Sequence, residues 1–131
     1  MKNTILALLI LIPALFASPV LAQGQSSRLD AKRLRCTVSH LDQAKKWSET
    51  QVNRYDKFKH CAVSCYLSLR CPRREVLAVG VMKEFYDAMG YGNAEIADLI
   101  ADLKGIKIVK KKQAKHDSDC VQLCDQMYPM Q

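Results

Sequence analysis

Between residues 53 and 70, Tyr55, Phe58, Ala62, Cys65, Tyr66 and Leu69 fall at steps of three and four with no Gly or Pro to interrupt them. This spacing predicts an α-helix, because residues three and four apart share one helix face. Val63 and Leu67 add a second apolar stripe on the flank that also carries Asp56 and His60. A helix apolar on more than one flank is expected at the centre of its domain.

The neighbouring segments give weaker patterns. Residues 40–53 hold Leu41, Ala44, Trp47 and Val52 at near-helical spacing among polar residues, which predicts a surface helix with one narrow apolar stripe. Pro72 suits the first turn of a helix that runs to about Met89 and stops at Gly90, a residue able to take a left-handed cap. Val76, Leu77, Val79, Val81, Met82, Phe85 and Met89 make that helix apolar nearly all round. It is therefore expected beside the first helix in the core, with Tyr55, Phe58, Leu69 and Phe85 buried.

Asn93 can cap a further helix over residues 94–104, closed by Gly105, whose Ile96, Leu99, Ile100 and Leu103 define one buried face. On this pattern Glu95, Asp98 and Asp102 fall on the solvated face. The basic, β-branched IKIVKKKQAK that follows (106–115) reads as a short strand or an extended connector. Ser118 or Asp117 can cap a last helix through Met127, while the polar segment 26–36 reads as a loosely held arm or a short helix. The fold class is all-α: a small bundle of four or five helices.

The start of the chain belongs to none of these. Lys2, an apolar run over residues 5–12 and the small-residue end Val20-Leu21-Ala22 form the pattern of a secretory signal peptide over residues 1–22. The apolar run is shorter than the roughly 20 residues that cross a bilayer, so no transmembrane segment is expected once the leader is cleaved near Ala22. Its removal leaves 109 of the 131 residues, residues 23–131, as a single helical domain that is secreted or periplasmic. Only Lys2 among the charged residues leaves with it, so the formal charge falls from +7 to +6.

Export changes the meaning of the six cysteines, all of which lie in the mature part. An even number in a small exported domain reads as three disulfides, and the absence of any CxxC pair removes a zinc-ribbon reading. Cys61-x-x-x-Cys65 and Cys120-x-x-x-Cys124 each set two thiols one turn apart on one helix face. Two such faces packed antiparallel favour Cys61 with Cys124 and Cys65 with Cys120, leaving Cys36 with Cys71. A local Cys65 to Cys71 bridge is the rival pairing. Each bridge stabilises a domain of this size by about 2–4 kcal/mol.

Candidate chemistry concentrates on DKFKH (56–60). Asp56 and His60, four apart on a helix, point the same way; such a pair holds a divalent metal or lets a carboxylate orient an imidazole for acid/base work. The plainer alternative is a surface pair across one turn. Lys83, Glu84 and Asp87 form a polar cluster on an otherwise apolar helix, with Gly80 one turn earlier, where a missing side chain admits a neighbour. Burying that cluster requires partners. Taken as ordinary surface charges, Lys83 and Glu84 would pair with each other.

The order DKFKH (56–60), GVMKEFYD (80–87), GYGNAEIADLIADLKG (90–105) resembles the DKxxH, KExxD and DLxADxxG pattern of the YfiM-like bacterial envelope family. It is similar, more remotely, to VanZ-like proteins and, through the HCxxSC continuation, to C-terminal modules of some polymorphic toxins. The resemblance implies Asp56, Lys57, His60, Lys83, Glu84, Asp87, Asp98 and Asp102 as the functional polar positions, with Gly90, Gly92 and Gly105 shaping loops. It implies no particular reaction. VanZ-like proteins are membrane-embedded, and that property does not carry over to a chain with only a leader.

No GxSxG, HExxH or Walker loop is present. Secreted phospholipases follow the site His directly with Asp and carry a glycine-rich calcium loop upstream; here Cys61 follows His60 and no such loop precedes it. Six lysines, Lys104, Lys107, Lys110, Lys111, Lys112 and Lys115, fall within twelve residues and suit anionic lipid or cell-envelope glycan. Alternatively, they guard the edge of a strand. Nucleic acid is not an expected partner of an exported chain with few exposed aromatics. Two readings follow: an envelope hydrolase or transferase whose acids converge on one cleft, or a stapled binding or inhibitor protein whose acids form satisfied pairs with Lys57 and Lys83.

Overall fold

The computed structural model describes residues 34–130, so the leader and most of the 26–36 arm lie outside the described residues. It contains five α-helices: α1 (Arg35–Glu49), α2 (Asp56–Arg70), α3 (Arg73–Tyr86), α4 (Ile96–Lys110) and α5 (Asp117–Met127). A π-helical turn, Asp87–Tyr91, extends α3, and Gly90 ends it at φ 101°. That is the left-handed geometry expected of this glycine. Among the described residues there is no strand, and no helix is long and apolar enough to cross a membrane.

α2 is the central element. Phe58, Cys61, Ala62, Cys65, Tyr66 and Leu67 are all buried, Asp56 opens the helix and Arg70 closes it, each on the favourable side of the helix dipole. On one side Phe58, Cys61, Ala62 and Cys65 pack with Ala101, Ile108, Ala114, Cys120 and Cys124 of α4, α5 and the turn between them. On the other, Tyr66, Leu67 and Cys71 pack with Ala44, Val76 and Ile106. Arg70 covers the Tyr66 ring, which stacks in turn on Trp47, and its guanidinium makes two 2.7 Å hydrogen bonds to Asp117 at the start of α5.

The helices are stapled by Cys36–Cys71, Cys61–Cys124 and Cys65–Cys120. The last two join the facing one-turn pairs of α2 and α5 and are fully buried. Apart from Phe58 and Ile108, the completely buried side chains are small, so the bridges supply cohesion that large apolar groups provide elsewhere.

Three expectations fail for one reason, the rotation and length of α4. Gly105 does not end the helix; α4 continues through it to Lys110, so residues 106–110 are neither strand nor connector. At Gly105 the backbones of α4 and α2 meet so closely that a Cβ would strike the Cys61 carbonyl oxygen. The glycine marks a close helix crossing. Secondly, the apolar stripe faces outward: Ile96, Ile100 and Leu103 are 79, 48 and 47% exposed, whereas Asp98 and Asp102 are 3 and 4% exposed. Thirdly, α4 takes the place beside α2 expected for α3, and α3 lies at the flank with Phe85 65% exposed.

The ends of the elements also differ. α1 begins five residues early and ends at Glu49, leaving Val52 exposed beyond it. Asn93 does not cap α4; the Glu84 carboxylate of α3 instead accepts the Glu95 N–H at 3.0 Å. At α5 neither Ser118 nor Asp117 caps; Asp119 accepts the backbone N–H groups of Lys115 and His116 at 2.8 and 2.9 Å.

Candidate functional site

Asp56, Lys57 and His60 project from the first turns of α2 towards Asp98 and Asp102, which lie one turn apart on the inner face of α4. The close crossing at Gly105, one turn beyond Asp102, brings the two helix faces within bonding distance. His60 Nδ1 donates to Asp102 Oδ1 at 3.2 Å, and its Nε2 lies 3.7 Å from Asp98 Oδ2. Ser64, one turn after His60, donates its hydroxyl to the same Asp102 oxygen at 2.8 Å. The imidazole is thus fixed between two buried carboxylates.

Burial alone would lower the His60 pKa; the hydrogen bond to Asp102, with the charges of Asp102 and Asp98, outweighs it and leaves the pKa above its ordinary value. Asp56 is shifted down: desolvation opposes this, but the His60 charge and the Lys57 ammonium prevail. Lys57 bonds Asp98, Glu95 (2.5 Å) and Asp56 (3.3 Å), which holds it well above its ordinary range against the cost of burial. Two acids that read as solvated, Glu95 and Asp98, are partners of this lysine.

The KExxD residues have a different role. Lys83 bonds Glu84 at 3.1 Å and Asp87 at 2.8 Å, and these bonds raise its pKa although burial works against them. Glu84 also holds the first turn of α4 through the Glu95 N–H. Glu84 therefore ties α3 to the residue before α4, Asp87 pairs with Lys83 on its own helix, and neither lines the space around His60. Only Gly80 and Lys83 of this motif line the same space as His60. A Cβ at Gly80 would sit 2.8 Å from Asp102 Oδ2, so the glycine leaves room for that carboxylate.

The space is a cleft of about 220 Å³ between α1, α2 and α3. Leu41, Val63, Leu67, Val76 and Val79 form apolar walls, and His60, Ser64 and Asp102 form a polar end. Lys45, Lys59 and Lys83 also border it. Two of these features escaped the sequence reading: the α1 wall, and Ser64, whose signal was its place four residues after His60 on the same face.

The residues fit a divalent metal poorly as they stand. Asp56, His60 and Asp98 offer ligand atoms within 4.8 Å of one another, but the Lys57 ammonium already bonds both carboxylates. A second cluster, Cys36, His40 and Cys71, has its sulfurs joined in a disulfide. The arrangement can do two things chemically: transfer a proton through His60 and hold an apolar group beside it. Ser64 bonds Asp102 and not the imidazole, so it lacks the base a nucleophilic serine needs.

No protein-family model, no curated protein and no solved structure matches this chain.

Proposed function

We propose that this is an exported cell-envelope protein in which His60 is the general acid and base of a hydrolase or transferase site. Asp56, Glu95 and Asp98 are taken up by Lys57, and Glu84 and Asp87 by Lys83, as the binding-protein alternative expects; the observation that carries the enzyme reading is the remaining pair, His60–Asp102, at the polar end of a cleft with apolar walls. Asp102 accepts from Nδ1 and so fixes the ring; Nε2, at 3.7 Å, is beyond hydrogen-bond distance of Asp98 Oδ2 and is the nitrogen that carries the proton in this proposal. The Asp102 hydrogen bond and the two carboxylate charges raise the His60 pKa against the cost of burial and so favour the protonated ring, the form that donates to a leaving oxygen. Water then supplies the hydroxyl to the substrate and returns its other proton to His60, or an acceptor alcohol takes the place of water. Ser64 positions Asp102. The walls call for an envelope compound, glycan-linked or lipid, with an apolar segment.

The signal-peptide pattern and the resemblance of DKxxH and DLxADxxG to YfiM-like envelope proteins support the same location. The test is incubation of the oxidised protein with separated glycan and phospholipid fractions of a bacterial envelope, with products read by mass spectrometry. His60→Gln and Asp102→Asn should each abolish product formation while the His60 variant keeps a cooperative melt. Product formation that survives His60→Gln, or its absence from both fractions with the parent protein, overturns the reading.

A further inference from the structure

The outer face of α4 is used by nothing described so far. Ile96, Ile100, Leu103, Lys107 and Lys110 follow one another at steps of four, three, four and three, which places them on a single side of the helix, opposite the buried Asp98 and Asp102. The stripe is divided along its length: apolar and exposed in the N-terminal half, cationic in the C-terminal half. Where the halves meet, Leu103 and Ile106 floor a shallow concavity bordered by Lys107, Lys110 and Lys111.

We infer that this face docks the protein on a membrane surface rich in anionic lipid. A water-facing helix gains nothing from three isoleucine and leucine side chains in register; burying them in an interface removes apolar area worth about 25 cal/mol per Å² from water. Lysines near a helix C-terminus already have a bland role, complementing the dipole. Here, however, the ammonium groups of Lys107, Lys110 and Lys111 make no ion pair among the described residues and ring an apolar floor. Apolar insertion beside cations is the composition of helices that lie in the headgroup layer. The formal charge of +7 for the whole chain acts in the same direction. Docking by this side leaves uncovered the cleft that Asp102 lines from the other side of α4, so the inference does not depend on catalysis by His60.

The experiment is flotation of the exported, disulfide-intact protein, its N-terminus read by intact mass, with vesicles of phosphatidylglycerol and phosphatidylethanolamine or of phosphatidylcholine alone. Binding is expected to the first and to weaken with salt, each lysine near the surface contributing about fivefold. Ile100→Gln with Leu103→Gln should cut partitioning at least about tenfold at unchanged charge, and Lys107→Gln with Lys111→Gln should weaken binding about 25-fold and flatten its salt dependence. Both pairs are exposed, so an unchanged helical spectrum and three intact bridges will establish that the variants fold. Equal binding to both vesicle types, no binding, or variants that float like the parent would overturn the inference. So would a dimer in light scattering that the Ile100/Leu103 variant dissociates, since a second copy would then cover the face.

Discussion

Where α2 meets α4 and α5, the side chains are small and the connections covalent: Ala62, Ala101, Gly105 and two buried disulfides bring the helix backbones together around Phe58 and Ile108. Where α1 and α3 meet α2, one disulfide between the start of α1 and the end of α2 and a set of larger, partly exposed groups leave a cleft. The first region sets the distance between helix backbones; the second leaves a cleft of about 220 Å³. His60 stands on their boundary, positioned by the rigid side and open to the loose one.

The largest effect should come from the tight side. Gly105→Val has to push α4 off the α2 backbone, and the loss should reach upwards of about 4 kcal/mol because backbone atoms, unlike a flexible side chain, cannot step aside. Chemical denaturation of the oxidised protein measures it. A variant as stable as the parent would show that the crossing at Gly105 does not set the α2–α4 distance.

Next comes the loose side. Cys36→Ala with Cys71→Ala removes the only bridge that holds α1, whose loop of 35 residues is worth about 4 kcal/mol of chain entropy at most. Hydrogen exchange should show α1 opening while the amides around Phe58 and Ala101 keep their protection. By contrast, Cys61→Ala with Cys124→Ala leaves the neighbouring Cys65–Cys120 bridge to close nearly the same loop, so the core should remain cooperative. Global unfolding on loss of Cys36–Cys71 would erase the distinction between the two regions.

The smallest effect is electrostatic and sharpens the boundary. Folding raises the His60 pKa above its ordinary value of 6.5, so the His60–Asp102 pair contributes fully at pH below that unfolded value. Its contribution is lost as pH rises through the folded pKa. Stability measured from pH 5 to 9 should therefore decline through this window in the parent and decline less in His60→Gln. Parallel curves for the two proteins would mean that the imidazole is not held between the two carboxylates in solution.

Much of the bundle was legible because local signals and tertiary needs agree there. The α2 periodicity and the left-handed turn at Gly90 each have one reading that satisfies both chain geometry and burial, and the two CxxxC faces favour the pairing that the structure shows. Phe85 and the Ile96, Ile100, Leu103 stripe misled because apolar periodicity tells that a face is distinctive, not which way it turns. Gly105 misled in the same manner: a glycine serves equally as a helix stop and as a contact point, and only the partner helix distinguishes them.

Sequence alone determined the all-helical class, the central place of α2 and the common face of Asp56 and His60, all consequences of helical repeat and short-range sterics; it favoured one pairing of the six cysteines over a Cys65–Cys71 rival, and the structure decided for the favoured one. Tertiary structure alone decided that Asp98 and Asp102 point inward. Burying two carboxylates in place of Ile100 and Leu103 is unfavourable unless hydrogen-bonding partners await them, and the Lys57 ammonium and the His60 imidazole of α2 are those partners. The orientation of α4 is therefore set by charges on another helix, brought within reach at Gly105, and no pattern internal to residues 96–110 contains that information.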